Sequence, residues 1–501
     1  MTFCRFGLLL VLGVGCDCAR AGEAAWSAGL SDRELAIQRW FSALTFQADR
    51  RADPWPEWHD DGKQLDVTSL RYQLAFCGYG CAAMAARTPA YRELVQRQLL
   101  DLCERMIDVR VWYFVTKYWQ YGDGPPDPCR YENVMYTGHL TQLMCLYEHL
   151  TGDGRYSTAG WDFVWRDGRK IHYRLERAIE RLYRLSGESA TGGICCEPGL
   201  VFADCNSHSS NSFLLYDLLH GTRYARANDR WFGWMARNFR NRMPFAGTYL
   251  YIVYRTKDEM FLPVGDPGAD AWALGWGYPW FPEPEFAVKG WRFLRDHAQW
   301  ISPEPDQLYV KNNPVVGCCG GGTLPVSNAF LPLAGVQAEG AESPTVRKIL
   351  NWLEANYGRG LDLDGDGHEE CYSYHTCDAH RISATGNIAA ALATDGDSLR
   401  RLFRTSRRDL LTAPAVARVD YPNIYVRAAE YIAPVLRFVV TKGRPGHAGP
   451  TEVVCENIPG AAQVTRDGKP FEQVRRDGTK LTIRTDVEGE HVFEVRLASG
   501  R

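Results

Sequence analysis

Ser31-Asp32-Arg33-Glu34 form a capping box, the pattern that begins a helix, and helical periodicity then recurs along most of the chain. In a capping box the Ser oxygen and the Glu carboxylate bond end amides that have no partner inside the helix. Prolines and glycines separate the periodic segments that follow. The pattern predicts further helices over 69–87, 91–107, 133–150, 171–186, 210–220, 230–240, 286–298, 326–338, 345–357, 382–394 and 396–406.

Helices of about ten to twenty residues joined by aromatic-rich loops favour helix pairs arranged in a toroid over a parallel sheet. We therefore predict a mainly α fold, the (α/α)6 barrel, with its site among the loops at one mouth. A short β insertion is predicted over 249–264, where β-branched and aromatic runs flank Lys257-Asp258.

The residues after 450 differ in character, because polar and apolar side chains alternate in several short runs. Asp467-Gly468 and Asp477-Gly478 have the composition of hairpin turns. The stretch 442–450, rich in Gly and Pro, predicts a linker. We predict a catalytic barrel domain over 22–445 and a small β module over 450–501, with packing or surface attachment as its role.

The composition indicates a folded protein without a nucleic-acid partner. The chain has 501 residues, 45% of them hydrophobic, and can bury a large core. Its 57 Lys and Arg against 60 Asp and Glu give a net charge of −3, so no basic surface for nucleic acid is indicated.

Residues 1–21 have the pattern of an export signal. Arg5 precedes an apolar run over 6–15, and Ala19-Arg20-Ala21 supplies a small-residue cleavage site. The apolar run is too short to cross a bilayer, and no later stretch approaches the roughly 20 apolar residues of a membrane span. We expect an exported, periplasmic protein. Cleavage after Ala21 leaves an odd number of cysteines, so at least one thiol is free or pairs between chains.

The segment with the densest chemistry begins at Cys195-Cys196-Glu197, and Cys205 follows nine residues after Cys196. Together with His208, these residues place thiols, a carboxylate and an imidazole in one loop-forming segment, which suits proton transfer at a small organic substrate. The spacing lacks the paired cysteines of a zinc site. The alternative is that the cysteines are structural, either buried or in a disulfide.

Two further segments carry candidate polar groups. Glu132, Met135 and His139 fall on one stripe of a predicted helix, although a lone His on such a stripe is more often a hydrogen-bonded core residue. Asp66 precedes Tyr72 by six residues, about 240° around a helix, so both face one site only if Asp66 lies in the entering turn. The alternative for Asp66 is a helix N-cap.

Together these segments resemble the linalool dehydratase/isomerase family. The matching residues are Asp66 and Tyr72, Met135-Tyr136-Thr137-Gly138-His139, Cys195-Cys196-Glu197-Pro198, and Cys205-Asn206. The resemblance covers roughly residues 30 to 405. It implies an (α/α)6 barrel, a homo-oligomeric ring with sites near subunit contacts, no organic cofactor and no metal. It also implies a hydro-lyase and isomerase that dehydrates linalool to myrcene and interconverts linalool and geraniol.

The resemblance also assigns roles to residues. Cys196 and Cys205 become the proton-transfer thiols with Glu197 beside them. Polar groups around the substrate hydroxyl are then Asp66, Tyr72 and His139. The residues predicted to line the small apolar alcohol are Met135, Tyr91, Phe202, Asp270 and Trp272.

Thiols suit such a reaction. A free thiol has a pKa of about 8.5, so two of them can hold opposite protonation states, one acid and one base, if their surroundings separate their proton affinities. Which thiol is the acid stays open at this stage. A covalent thioether to the allylic carbon is a second route.

The main rival is a carbohydrate-active enzyme on the same barrel type, using aromatic platforms and two carboxylates. Sixteen Trp, twenty-five Tyr and the aromatic run over 266–285 are compatible with it. A secreted protein that binds a terpene or a sugar without turnover is the third interpretation. The sequence does not specify the chain length or stereochemistry of the substrate, or the preferred direction of the reaction.

Overall fold

The computed structural model describes residues 26–47, 55–60, 69–118, 127–243, 247–311, 326–362, 367–375, 381–443 and 449–498. The predicted export signal over 1–21 and the predicted site residue Asp66 lie outside the described residues. The described chain is mainly α, with a β-rich C-terminal part. Within these ranges, we find no helix with the length and apolar character that a bilayer span requires.

The helices are α1 (Asp32–Thr45), α2 (Leu70–Arg87), α3 (Glu93–Met106), α4 (Val109–Trp112), α5 (Val115–Tyr118), α6 (Val134–Thr151), α7 (Arg155–Thr158), α8 (Leu175–Glu188), α9 (Ala203–His220), α10 (Arg226–Asn238), α11 (Pro267–Gly275), α12 (Glu285–His297), α13 (Val326–Glu339), α14 (Pro344–Tyr357), α15 (Arg381–Ala393), α16 (Ser398–Arg404) and α17 (Arg408–Thr412).

The strands are β1 (Trp161–Val164), β2 (Lys170–Tyr173), β3 (Leu200–Phe202), β4 (Val253–Arg255), β5 (Met260–Phe261), β6 (Trp300–Ile301), β7 (Tyr309–Val310), β8 (Gly358–Leu361), β9 (Cys371–Tyr374), β10 (Ala415–Val419), β11 (Ile424–Ile432), β12 (Val435–Lys442), β13 (Pro450–Glu456), β14 (Ala462–Arg466), β15 (Lys469–Pro470), β16 (Val474–Asp477), β17 (Lys480–Asp486) and β18 (His491–Leu497).

The capping box is present at the start of α1. The Ser31 N–H donates to Glu34 Oε2 at 2.8 Å, and the Glu34 N–H donates to Ser31 Oγ at 3.3 Å. Most predicted helices begin and end within a few residues of the observed ones. Two of the longer helices differ from the prediction: α9 begins at Ala203 instead of residue 210, and α11, which the Asp266 carboxylate caps, was not predicted. The short helices α4, α5, α7 and α17 were not predicted either.

Burial divides the longer helices into two kinds. Helices α2, α6, α9, α11, α13 and α15 are buried over most of their length, whereas α8, α10, α12 and α14 bury a single stripe. A helix without a polar face belongs inside a protein, and an amphipathic one belongs at its surface. Among the buried helices, α2 contacts α6, α6 contacts α9, α9 contacts α11, α11 contacts α13, α13 contacts α15, and α15 contacts α2.

The contact between α2 and α15 depends on glycine. A Cβ atom at Gly386 would lie 2.3 Å from the carbonyl oxygen of Phe76 and 2.4 Å from its carbonyl carbon. Both atoms belong to backbone, so neither can rotate away. The two helices can approach this closely only because residue 386 has no Cβ atom.

We expect Gly386→Ala to lower the free energy of unfolding by about 1–3 kcal/mol, the usual cost of overpacking, because α15 must move away from α2. Gly187→Ala is the matched control, since Gly187 is also helical and nothing lies within 4 Å of its added Cβ. The control should be neutral or gain up to about 1 kcal/mol from helix propensity. Urea unfolding of both variants measures the difference, and equal stabilities would contradict the close approach.

The predicted β insertion is confirmed and is larger than the sequence pattern indicated. Strands β4 and β5 form the hairpin over 253–261, and β4 also pairs with β3, with Phe202 opposite Val253. Strand β3 runs directly into α9. The insertion therefore fixes the start of a buried helix.

The C-terminal module consists of two antiparallel sheets, with strand orders β10-β13-β17-β16 and β11-β12-β18-β14-β15. Strand β13 pairs with both β10 and β17, and β12 pairs with β18. The two sheets thus include β10, β11 and β12, which precede the module predicted over 450–501. The segment 442–450, predicted as a linker, lies between β12 and β13.

Candidate active site

Cys196 and Cys205 lie side by side despite the nine residues between them. The chain turns at Pro198-Gly199, where Gly199 has φ +77°, and the Cys196 N–H donates to the Leu200 carbonyl at 2.7 Å. A positive φ is readily adopted by glycine. The two Sγ atoms are 3.3 Å apart and both side chains are buried. Cys205 lies in the first turn of α9 and not in a loop.

The amide of Asn206 holds this turn in place. Its Oδ1 accepts the Ile194 N–H at 2.7 Å, and its Nδ2 donates to the carbonyls of Ile194 at 2.9 Å and Phe202 at 2.8 Å. The segment before the turn and the strand after it are thus bound to the same side chain. This explains why an Asn directly after the second thiol favours their convergence.

Tyr72, at the start of α2, completes a three-group contact. Its hydroxyl lies 3.7 Å from Cys205 Sγ, within hydrogen-bond distance for sulfur. Burial raises the pKa of Tyr72 well above its usual value, and the neighbouring Cys205 and Cys196 raise it further. The phenol therefore stays protonated and can donate a hydrogen bond to the sulfur of Cys205.

The two thiols have different hydrogen-bonding surroundings. Burial raises the pKa of Cys196 well above its usual value, and its hydrogen bond to Cys205 raises it further. Burial also raises the pKa of Cys205, but hydrogen bonds from Cys196 and Tyr72 act in the opposite direction. A thiolate therefore forms more readily on Cys205, with Cys196 as the hydrogen-bond donor to it.

Glu197 lies next to the pair and is balanced by a cation that the sequence analysis did not single out. Burial raises the pKa of Glu197, and Arg71 lowers it. The fully buried Arg71 guanidinium donates to Met135 Sδ at 3.3 Å and lies 4.6 Å from the centre of the Tyr72 ring. The sequence signal for Arg71 was a charged residue in the first turn of a mostly apolar helix, whose other charged residue, Arg87, lies at its end.

Asp204 is a second carboxylate near the thiol pair, and the sequence analysis did not select it as a site residue. It is buried in the first turn of α9, where its Oδ1 accepts the Cys205 N–H at 2.6 Å. Burial raises the pKa of Asp204 to about 7, and the backbone and thiol of Cys205 lower it by hydrogen bonding. Recognising it required knowing that α9 begins at Ala203, because only then does its carboxylate face the interior.

His139 lies on α6 with its ring edge-on to Tyr72, the centroids 5.1 Å apart. Its Nδ1 is 2.9 Å from the Tyr79 hydroxyl, whereas its buried Nε2 has no hydrogen-bond partner among the described residues. Burial lowers the pKa of His139 well below its usual value, and His208 and Arg71 lower it further. The ring is therefore neutral. Glu132 precedes α6 and does not share its helical stripe.

Aromatic rings enclose these groups. Trp272 stacks on Phe330 with centroids 4.8 Å apart and meets Tyr72 edge-on at 5.6 Å. Phe76 lies 5.2 Å from Trp272 and 5.7 Å from His139. The predicted wall residues Met135 and Trp272 thus lie with the polar groups.

Three other predicted wall residues, Tyr91, Asp270 and Phe202, have structural partners of their own. Tyr91 packs in the hydrophobic core of the β module, because its backbone bridges Val416. Both oxygens of Asp270 accept backbone N–H groups, from Tyr249 and Leu250, so this carboxylate anchors the chain before the β insertion. The half-buried Phe202 packs both against that insertion and against the main hydrophobic core, which contains Cys196 and Cys205. Their side chains therefore have structural partners other than the thiol pair.

Cys77, Cys81, Cys103 and Cys129 are free thiols, so there is no bridge among these four described residues. Burial raises the pKa of Cys103 and of Cys129 well above the usual value, which keeps them protonated. In the part of the chain that the structure describes, no group of three or more His, Cys, Asp and Glu side chains has an arrangement that holds a metal ion.

Several solved structures with a distant likeness to this chain are carbohydrate-active proteins. An inactive variant of an α-1,6-mannanase of Salegentibacter sp. HEL1_6 is 10% identical, with a TM-score of 0.42 over 74% of this chain and 99% of that chain. A glycosyl hydrolase family 88 protein from Bacteroides vulgatus is 13% identical, with a TM-score of 0.41 over 73% and 99%. A polysaccharide lyase is 13% identical, with a TM-score of 0.41 over 75% and 97%. Likeness at this level does not extend to substrate or mechanism.

The family comparison is more specific. The model of the linalool dehydratase/isomerase family, Ldi, matches residues 71–359, more than half of the chain. The matched range contains the thiol pair, Tyr72, His139 and Glu197. The chain belongs to the linalool dehydratase/isomerase family.

Proposed function

We propose that this protein dehydrates a small terpenoid allylic alcohol, linalool to myrcene, and interconverts linalool and geraniol by thiol acid/base catalysis. The observation that carries the proposal is the 3.3 Å contact between Cys196 Sγ and Cys205 Sγ, with the Tyr72 hydroxyl 3.7 Å from Cys205. Family membership supports the substrate class. The aromatic enclosure supports an apolar substrate.

The proposed dehydration starts from the fraction of the protein in which Cys205 has lost its proton to solvent, so that the pair is one thiol and one thiolate. Cys196 gives its proton to the hydroxyl oxygen as the tertiary C–O bond breaks, which releases water and leaves an allylic cation. The Cys205 thiolate takes a proton from the adjacent carbon, and the C–H electron pair forms the new double bond. Proton transfer from Cys205 to Cys196 across 3.3 Å restores the starting state.

The assignment of Cys205 as the base rests on its surroundings. Cys196 and Tyr72 both donate hydrogen bonds toward Cys205 Sγ, which favours negative charge on that sulfur. For isomerisation, water adds at the other end of the allylic system and returns its proton to the Cys196 thiolate. One pair of thiols thus serves both reactions.

The enclosure suits the charge that develops on the substrate. The faces of Tyr72, Trp272 and Phe76 are electron-rich and attract a cation, and Glu197 adds a nearby carboxylate. His139 is neutral, so its unpartnered Nε2 is suited to hydrogen bond the hydroxyl and not to transfer a full charge.

Incubation of the purified protein with linalool, geraniol and shorter tertiary alcohols, followed by gas chromatography of the headspace, tests this proposal. We expect myrcene and geraniol from linalool, with loss of both products in Cys205→Ser. An inactive wild-type protein, or a serine variant that keeps full turnover, would contradict it.

A carbohydrate-active enzyme is the second candidate, because Glu197 lies close enough to Asp204 to raise the pKa of that second carboxylate. Such an enzyme uses two carboxylates and needs no thiol. It should hydrolyse or cleave oligosaccharides, lose activity in Glu197→Gln, and keep it in Cys205→Ser.

We further propose an (α/α)6 arrangement, export and assembly into a homo-oligomeric ring. The sequence of contacts from α2 through α6, α9, α11, α13 and α15 back to α2 supports the arrangement. The pattern of residues 1–21 supports periplasmic export, and the family resemblance supports the ring. Light scattering after size-exclusion chromatography of the mature protein measures its assembly.

A further inference from the structure

A second buried histidine, His208, lies against His139 and has no role in the chemistry proposed above. It follows Cys205 by three residues on α9, so the two side chains share a face of that helix. The centroids of the His208 and His139 rings are 3.8 Å apart, at an angle of 33°. The Tyr79 ring is stacked on both imidazoles, at 5.3 Å from His208 and 5.8 Å from His139.

Both nitrogens of His208 have defined partners. The Trp272 indole N–H donates to His208 Nε2 at 2.9 Å, and His208 Nδ1 lies 2.9 Å from Gln142 Oε1. An indole nitrogen can only donate, so Nε2 must offer a lone pair. The proton is therefore on Nδ1, from which it is donated to Gln142. One tautomer of the neutral ring satisfies both contacts.

We propose that His208, held between Trp272 and Gln142, is a positioning residue that keeps the His139 ring in place and uncharged beside the thiol pair. The inference deepens the proposed function and rests on it for the part that His139 plays. Helix α9 contributes His208 and α11 contributes Trp272, and α6 contributes both Gln142 and His139.

The arrangement acts on His139 in two ways. Face contact with a ring that cannot rotate restricts the His139 imidazole, whose Nδ1 is already bound by Tyr79. A proton on either ring would place a charge against its neighbour in a buried site, which is unfavourable. Among the described residues, the titratable or charged groups that contact the two rings or lower the pKa of His139 are Tyr72, Tyr79 and Arg71, and Cys205 lies about one turn before His208 on α9.

Nitrogen NMR of protein with ¹⁵N-labelled histidine tests the proposal without substrate, with the His208 signal identified by its loss in His208→Asn. We expect wild-type His208 to keep the neutral Nδ1–H tautomer between about pH 5.5 and 8. Trp272→Phe removes the donor to Nε2, and Gln142→Leu removes the acceptor from Nδ1. Either variant should abolish the single-tautomer signal and change the pKa of His139.

Matched controls remove comparable hydrogen bonds. Trp276→Phe deletes an indole whose N–H donates to Asn387 Oδ1 at 2.9 Å, and Thr141→Val deletes a hydroxyl 2.8 Å from Ser212 Oγ. Both controls should keep the His208 tautomer.

Turnover gives the functional readout. We expect Gln142→Leu to lower kcat for myrcene formation roughly tenfold with KM little changed, because Gln142 acts through the two rings and does not touch substrate. An Nε2–H or charged His208 in the wild type would overturn the proposal, as would a Gln142→Leu protein with a changed tautomer but unchanged His139 pKa. If wild-type protein turns over no linalool, the proposed function fails, while the NMR result still decides whether His208 controls His139.

Discussion

Replacing Cys205 by serine should lower the rate of myrcene formation from linalool by roughly 10²- to 10⁴-fold, the usual contribution of a positioned acid or base. A serine hydroxyl fits the space but does not ionise in the working pH range, so the base is lost while Cys196 and Tyr72 stay in place. Gas chromatography of initial rates measures the effect. Substrate binding should change little, because the loss falls on the chemical step.

Cys145→Ser is the matched control for this substitution. Cys145 is also a buried free thiol, but it lies 3.9 Å from the Ser212 carbonyl and belongs to the packing between α6 and α9. The control should keep the wild-type rate. Equal losses in the two variants would show that the protein tolerates no buried serine, and equal retention would remove Cys205 from the chemistry.

Replacing Asp204 by asparagine should stabilise the protein at neutral pH, and the gain should depend on pH. Burial raises the pKa of Asp204 to about 7 in the folded state, above the 3.8 of the free side chain. The folded state therefore prefers the protonated acid, and the wild-type free energy of unfolding falls as the pH rises from about 4 through about 7. Asparagine does not ionise and so avoids this loss, worth about 4 kcal/mol at one pKa unit per 1.36 kcal/mol.

Urea unfolding of wild type and variant at several pH values between about 4 and 8 measures the difference. The side-chain amide of the Asp204→Asn variant keeps an Oδ1 acceptor for the Cys205 N–H, so the start of α9 should persist. Asp229→Asn, which replaces an exposed first-turn Asp on α10, should give no such gain. A difference between Asp204→Asn and wild type that stays constant with pH would contradict the placement of a carboxylate in the interior.

Most helices were predicted well, because their apolar residues recur at helical spacing and tertiary packing preserves that structure. The prediction failed at the start of α9, where the polar run from Asp204 to His208 has the composition of a loop although every one of these side chains is buried. Tertiary contacts satisfy those polar groups, as the bonds of His208 to Trp272 and Gln142 illustrate. A local sequence pattern cannot identify these partners, because they lie on other helices.

The candidate site was predicted only in part, for the same reason: local sequence identified some of its residues, and others depend on tertiary contacts. The nine-residue interval between Cys196 and Cys205 was readable, because a glycine turn and Asn206 bring the thiols together within one short segment. Arg71 and Asp204 were not recognised, since their importance comes from burial. Tyr91 shows the opposite case: its chain position lies near the site's helices, but its side chain packs on strands more than 300 residues away.

The strands after Ala415 do more than follow the helices in the chain. Arg427 accepts the Leu30 N–H through its carbonyl, and Ala90 bonds both Ala429 and Val416, so the module is fastened to the entry of α1 and of α3. Pulling it away would strip Tyr91 of its hydrophobic surroundings. The C-terminal module therefore supports the helical part of the protein, and truncation before residue 415 would expose the hydrophobic surface around Tyr91 that the module covers.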